Sequence, residues 1–190
     1  MGEGGWRTVK ADYDVRNLVS DTLAFLSPNT EVIVRMETLR RATIYAMQDH
    51  EIASTLLSRL RERVDSADKK GKPDPLALFD AGYLIEAYRQ AGWVWKVNLF
   101  VNGLDGSAMV RRAIELRGVD PSMEFAAAMF AAEGGSGCPR ECQLKHVRAA
   151  LAGATEGSLL VRNLARQAHL LHIEGTTLAQ MTASAGKALD

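Results

Sequence analysis

Residues 75–92 read PLALFDAGYLIEAYRQAG, and this apolar stretch decides the fold of the chain. Asp74 and Pro75 mark a helix start, because an aspartate N-cap accepts hydrogen bonds from free amides and proline has no amide to satisfy. The helix is apolar around nearly its whole circumference, and such a helix must be packed on all sides. We therefore expect it at the centre of the molecule.

The same start signal returns at Asp120 and Pro121, which open the stretch PSMEFAAAMFAAEGG over 121–135. This second helix is also apolar on all sides, so it too is expected to be central. The stretch GSAMVRRAIELRG over 106–118 lies between the two and predicts a further helix, with Gly118 as its C-cap.

Two helices with an apolar stripe precede this centre. Their apolar residues recur every three or four positions, as expected on one face of a helix. The first stripe consists of Val32, Met36, Leu39, Thr43 and Met47, and the second consists of Ile52, Leu56, Leu60 and Val64. Asp49 is a candidate N-cap for the second helix, and the two together predict an antiparallel hairpin.

Two more helices are predicted after the glycine-rich turn, over about 139–152 and 157–174. The stretch WVWKVNLFVNGL over 93–104 alternates like a strand, but a lone strand has no partner, so a helix extension or packed loop is expected. Roughly eight helices joined by short turns predict an all-α protein of stacked antiparallel helix hairpins. This architecture is either a helical bundle or a short α-α superhelix.

Part of the centre resembles a known repeat family. AYRQAG followed by RRAIELRGVDP, within residues 77–121, is similar to the tetratricopeptide repeat. The link between the helices is longer than in that family, and Pro121 comes later. The resemblance implies paired antiparallel helices that present a surface to a protein or peptide partner.

Composition sets the class of protein. Lys and Arg together number 23, as do Asp and Glu, so no net charge favours nucleic acid or an anionic membrane. Two cysteines are too few for a disulfide framework, and neither a signal peptide nor a run of ~18 apolar residues is found. We expect one cytoplasmic all-helical domain over 1–190, with 1–11 and 176–190 weakly ordered.

Basic residues collect on the helices that precede Pro75. They are Arg35, Arg40, Arg41, Arg59, Arg61, Arg63, Lys69, Lys70 and Lys72. Acidic residues are interspersed among them, so a solvated face is the expected reading and nucleic-acid binding is not expected.

Residues 138–146 read CPRECQLKH, the stretch with the most reactive side chains. On a helix, Cys138 and His146 lie ~12 Å apart along the axis at ~1.5 Å per residue. One metal ion cannot hold both, so no metal site is expected. Because Leu144, Val147 and Leu151 form the apolar stripe of this helix, we expect Cys142 and His146 to face solvent.

The same stretch is similar to the motif of alkyl hydroperoxidase D-like proteins, which carry two cysteines and a histidine on one helix. The resemblance implies a thiol oxidoreductase in which Cys138 and Cys142 react and His146 is the base. The cysteines here are separated by three residues where the family has two. Glu124 and Glu133 lie at other distances than the glutamate of the family, so that residue has no clear counterpart.

Two further groups are candidate sites. Phe79, Tyr83, Tyr88, Trp93 and Trp95 either line a ligand pocket or, as aromatics at helical spacing usually do, belong to the core. Arg162, Arg166 and His169 share a helix face and form a candidate carboxylate-binding row. Glu86 is a charge within an apolar helix and is expected to reach solvent or to pair with Arg89 or Arg111.

The leading hypothesis is therefore a non-enzymatic protein interaction or scaffold module that binds a protein or peptide, with a homodimer left open. The alternative is a thiol-dependent oxidoreductase that uses Cys138, Cys142 and His146. A third reading is a helical domain that binds a small molecule through its aromatic residues. No cofactor is expected in the leading reading.

Overall fold

The computed structural model describes residues 17–46, 49–91, 101–132 and 140–153. These ranges contain seven α-helices and no strands, which confirms the predicted all-α class. The helices are α1 (Leu18–Phe25), α2 (Val32–Ala46), α3 (His50–Lys69), α4 (Pro75–Gln90), α5 (Gly106–Arg117), α6 (Pro121–Ala132) and α7 (Arg140–Gly153). None of these helices combines the length and apolarity needed to cross a bilayer.

The helix starts and stops follow the local signals. Asp49 accepts hydrogen bonds from two amides in the first turn of α3, and Asp74 does the same for α4. Asp120 accepts from the amides of Ser122 and Met123 at the start of α6. Gly118 ends α5 with a φ of 88°, a conformation that glycine adopts without steric cost. The predicted caps are confirmed.

Helix α4 forms the centre of the described structure. It packs against α2, α3, α5 and α6, and most of its side chains are buried, as a helix apolar on all sides requires. The stripes on α2 and α3 face this centre, with Leu39, Leu56 and Leu60 fully buried, and Met47 lies outside the described residues. Helix α6 contributes six buried apolar residues to this core, between Met123 and Phe130.

Two antiparallel helix pairs organise the second half of the described chain. In the first pair, Gly82 of α4 lies against Gly106 and Met109 of α5. Glu86, one turn later, accepts a hydrogen bond from the amide of Ser107 and pairs with Arg89. This confirms the pairing expected for Glu86. The second pair, α6 and α7, carries the candidate site.

One predicted surface residue is in fact part of the core. Arg35 was expected on the solvated basic face, but only 2% of its side chain is exposed. It donates to Asp80 Oδ2 at 2.5 Å and to the carbonyls of Leu26, Ser27 and Thr30, which end and follow α1. The expectation was wrong because the partners of Arg35 lie on other elements. Helix α1 itself was not predicted, since two turns give little periodicity.

Several predictions lie outside the described residues. These are the terminal segments 1–11 and 176–190, the helix over 157–174, and residues 93–100 of the strand-like stretch.

Candidate functional site

A buried carboxylate and a partly buried imidazole meet between α6 and α7. Glu124 lies in the first turn of α6, and its Oε2 is 2.5 Å from Nδ1 of His146 on α7. Their side chains are only 7% and 12% exposed. The contact joins residues 22 positions apart in the sequence, so it depends on the register of the two helices.

The register of the two helices is marked by one glycine and one amide. A Cβ atom added at Gly153 of α7 would clash with Cγ of Pro121 on α6, so the helices approach closely there. The side-chain amide of Gln143 donates to the carbonyl of Ala128 at 3.3 Å. Because α6 and α7 are antiparallel, His146, which follows Gln143 on α7, contacts Glu124, which precedes Ala128 on α6.

Cys142 lies one helical turn before His146 and is partly buried. Side chains four residues apart lie on the same side of a helix, roughly 5–6 Å apart at Cβ. The sulfur of Cys142 is disulfide-bonded. The sequence holds one other cysteine, Cys138, which lies outside the described residues.

The orientation predicted for His146 was wrong. Among the described side chains of α7, Gln143, Val147 and Ala150 are buried, and His146 contacts α6 beside them. The predicted stripe included Leu151, which is only partly buried. Gln143 is polar but belongs to the buried face, because its side-chain amide donates to a backbone carbonyl. A prediction from the hydrophobic pattern alone does not identify such a residue.

Glu124 is the site residue that the sequence pattern missed. Its distance from the cysteines differs from that in the alkyl hydroperoxidase D-like proteins, so it was not assigned a role. One signal was present, because Glu124 is a charged residue within a helix that is otherwise apolar on all sides. A charge in such a helix needs a partner from another element.

The arrangement is suited to proton transfer. A carboxylate that accepts the Nδ1 proton of a neutral histidine leaves Nε2 unprotonated, and it also stabilises the ring when Nε2 takes up a proton. His146 is therefore an oriented candidate base, one helical turn from the disulfide-bonded Cys142. Within the described ranges, no three His, Cys, Asp or Glu side chains are placed to hold one metal ion.

The aromatic candidates lie in the core where they are described. Phe79, Tyr83 and Tyr88 are buried, and the Tyr83 ring packs against Phe79 and Phe130. Burial raises the pKa of Tyr83 to about 12. The Tyr88 hydroxyl donates to the carbonyl of Ala53. Trp93 and Trp95 lie outside the described residues, as does the candidate row Arg162, Arg166 and His169, so these roles stay predictions.

Comparison with known proteins adds no relative. No protein-family model matches the chain, and no curated protein and no solved structure matches it. Function is therefore inferred from the geometry of the residues themselves.

Proposed function

We propose that this protein is a thiol–disulfide oxidoreductase in which Cys138 and Cys142 are the redox pair, His146 is the base and Glu124 positions it. The observation that carries the proposal is the largely buried contact between Glu124 and the partly buried His146, one helical turn from a disulfide-bonded cysteine.

A purely structural role explains this contact less well. Burying a carboxylate with an imidazole costs desolvation energy, and apolar side chains of similar size often give a more stable protein. Titratable groups buried together beside a reactive sulfur are a common feature of functional sites. Here the polar pair also lies at the edge of the buried face of α7, within reach of Cys142 along the same helix.

The proposed reaction is thiol–disulfide exchange. A substrate thiolate attacks one sulfur of the protein disulfide, so that the S–S bond breaks and a mixed disulfide forms. The other cysteine leaves as a thiolate, and protonated His146 supplies its proton. A second substrate thiolate then attacks the mixed disulfide, releasing the oxidised substrate and the reduced protein. Two electrons pass from two substrate thiols to the protein, and an oxidised substrate is reduced by the reverse steps.

The test is the reactivity of Cys142 in the reduced protein. Alkylation by iodoacetamide is followed by mass spectrometry across a range of pH, in the wild type and in His146→Asn and Glu124→Gln. We expect the rate near neutral pH to fall about 10-fold in His146→Asn and about threefold in Glu124→Gln, because an unassisted cysteine is still a few per cent thiolate at neutral pH, which limits the loss to about 30-fold. Reduction of glutathione disulfide should fall in parallel.

The matched control is Glu141→Gln, which removes an exposed carboxylate from the same helix. It should leave both rates unchanged, and circular dichroism checks that each variant is folded. The proposal is wrong if Cys142 of the folded wild type reacts no faster than a small-molecule thiol, or if all three variants react alike.

A scaffold role is the second candidate. It is supported by the antiparallel packing of α4 against α5, within the segment that resembles a tetratricopeptide repeat. A partner captured equally well by the wild type and by Cys138→Ser/Cys142→Ser would favour this role. If Arg162→Ala/Arg166→Ala no longer captures the partner, the candidate carboxylate-binding row is part of the binding surface. If capture is unchanged, the row does not bind the partner.

A further inference from the structure

A cavity lined by charged side chains lies away from the cysteines. An open cavity of about 850 Å³ is formed by the end of α1, the second half of α3 and the start of α4. This volume is within the range of small-molecule sites, roughly 300–1,000 Å³. The side chains that matter for its chemistry are Arg35, Arg59, Arg63, Lys70, Lys72 and Asp80.

The buried wall of the cavity holds an incomplete ion pair. Asp80 Oδ2 accepts from Arg35, and both side chains are 2% exposed. The second oxygen, Oδ1, is buried and has no hydrogen-bond partner among the described residues. A buried oxygen without a donor costs free energy, so it marks a place where a ligand donor would be stabilising.

The rim of the cavity has an excess of positive charge. Arg59 is neutralised by Glu62 at 3.0 Å, and the Asp74 carboxylate is engaged with the amides of Leu76 and Ala77. Three further cations line the cavity without an ion-pair partner in the described part of the chain, namely Arg63, Lys70 and Lys72. Because Asp74 keeps its negative charge, the lining has five cations and three carboxylates, a surplus of two, whereas the whole chain has no net charge.

Arg63 is held in place before any ligand binds. Its guanidinium donates to the carbonyls of Leu23 and Leu26 at the end of α1. A cation fixed by such contacts loses little side-chain freedom when it binds an anion. The lysines are exposed and flexible, so they add charge at the entrance.

We propose that this cavity binds a small organic polyanion that carries a hydroxyl group. Its anionic groups contact Arg63, Lys70 and Lys72, and its hydroxyl donates to Asp80 Oδ1 after a small rotation of the side chains that cover this oxygen. The site is separate from the cysteines and does not depend on the proposed redox function.

Citrate and tricarballylate are a matched pair of probes, since they carry the same three carboxylates and differ only in the hydroxyl of citrate. Isothermal titration calorimetry of the full chain at about pH 8 measures both. We expect citrate to bind about 10-fold more tightly than tricarballylate, as a hydrogen bond to a charged group predicts. Lys70→Ala should weaken citrate binding about fivefold.

The control is Lys69→Ala, which removes the same charge from the neighbouring position of α3 but does not line the cavity. It should change citrate binding less than twofold, and both lysines are exposed, so neither variant threatens the fold. Three results would each overturn the proposal: no citrate binding at millimolar concentration, equal affinity for the two probes, or equal losses in the two lysine variants.

Discussion

At the scale of single residues, the charges inside the apolar helices carry most of the information. Asp80, Glu86 and Glu124 are all buried, and each has a basic partner: Arg35, Arg89 and His146 respectively. Only the partner of Glu86 was predicted, because Arg89 lies one turn away on the same helix. The others lie 45 and 22 positions away in sequence, on neighbouring helices.

Replacing Arg35 with methionine should destabilise the protein strongly. Asp80 would lose its cation, and the carbonyls after α1 would lose their donors. Breaking a buried ion pair costs about 3–5 kcal/mol, which urea unfolding can measure. Arg40→Met is the control, because Arg40 is exposed and its ion pair with Glu37 should contribute less than about 1 kcal/mol.

The loss of unfolding free energy in Arg35→Met should also depend on pH. Burial raises the pKa of Asp80 to about 7, while Arg35 acts to lower it, so removing Arg35 raises this pKa further. A carboxyl whose pKa is higher in the folded state makes stability fall as pH rises from its unfolded pKa to its folded pKa. The loss should therefore be smaller at pH 5 than at pH 8. An equal loss at both would contradict the role of Asp80.

At the scale of helices, local signals determine where several helices begin, and tertiary contacts determine how closely the helices pack. The caps at Asp49, Asp74 and Asp120 come from neighbouring residues and were predicted. The close approach of α4 and α5 was not. A Cβ atom added at Gly82 would lie 2.6 Å from the carbonyl oxygen of Gly106. Glycine at this position is required by the neighbouring helix backbone.

Gly82→Ala should therefore destabilise the protein, although alanine is the better helix former by about 1 kcal/mol. The added methyl group must push α5 away, at a cost of about 1–3 kcal/mol, measured by urea unfolding. Ser58→Ala, on the exposed face of α3, should be neutral or slightly stabilising. A more stable Gly82→Ala protein would mean that α4 and α5 are not in close contact.

At the scale of the whole molecule, the core and the candidate redox site are distinct. The buried apolar residues centre on α4 and α6 and connect most of the described helices. Cys142 is only partly buried and lies near the start of α7. The fold should thus depend on apolar packing more than on the disulfide.

Reduction should leave the fold intact. The one partner that the sequence offers Cys142 is Cys138, so the closed loop is short and contributes about 2 kcal/mol at most. Thermal unfolding followed by circular dichroism, with and without dithiothreitol, measures the difference. Cys138→Ser/Cys142→Ser should match the reduced wild type. Unfolding on reduction would show a structural disulfide and would weaken the proposed function.

The sequence by itself determined the helical class, the capped ends of four helices and the two central helices. Each of these depends on residues a few positions apart, through periodicity, capping and breaking of helices. Only the tertiary structure decided that Glu124 meets His146 and that Arg35 meets Asp80. Those contacts depend on the register between helices, which arises from packing of the whole core and leaves no local pattern along the chain.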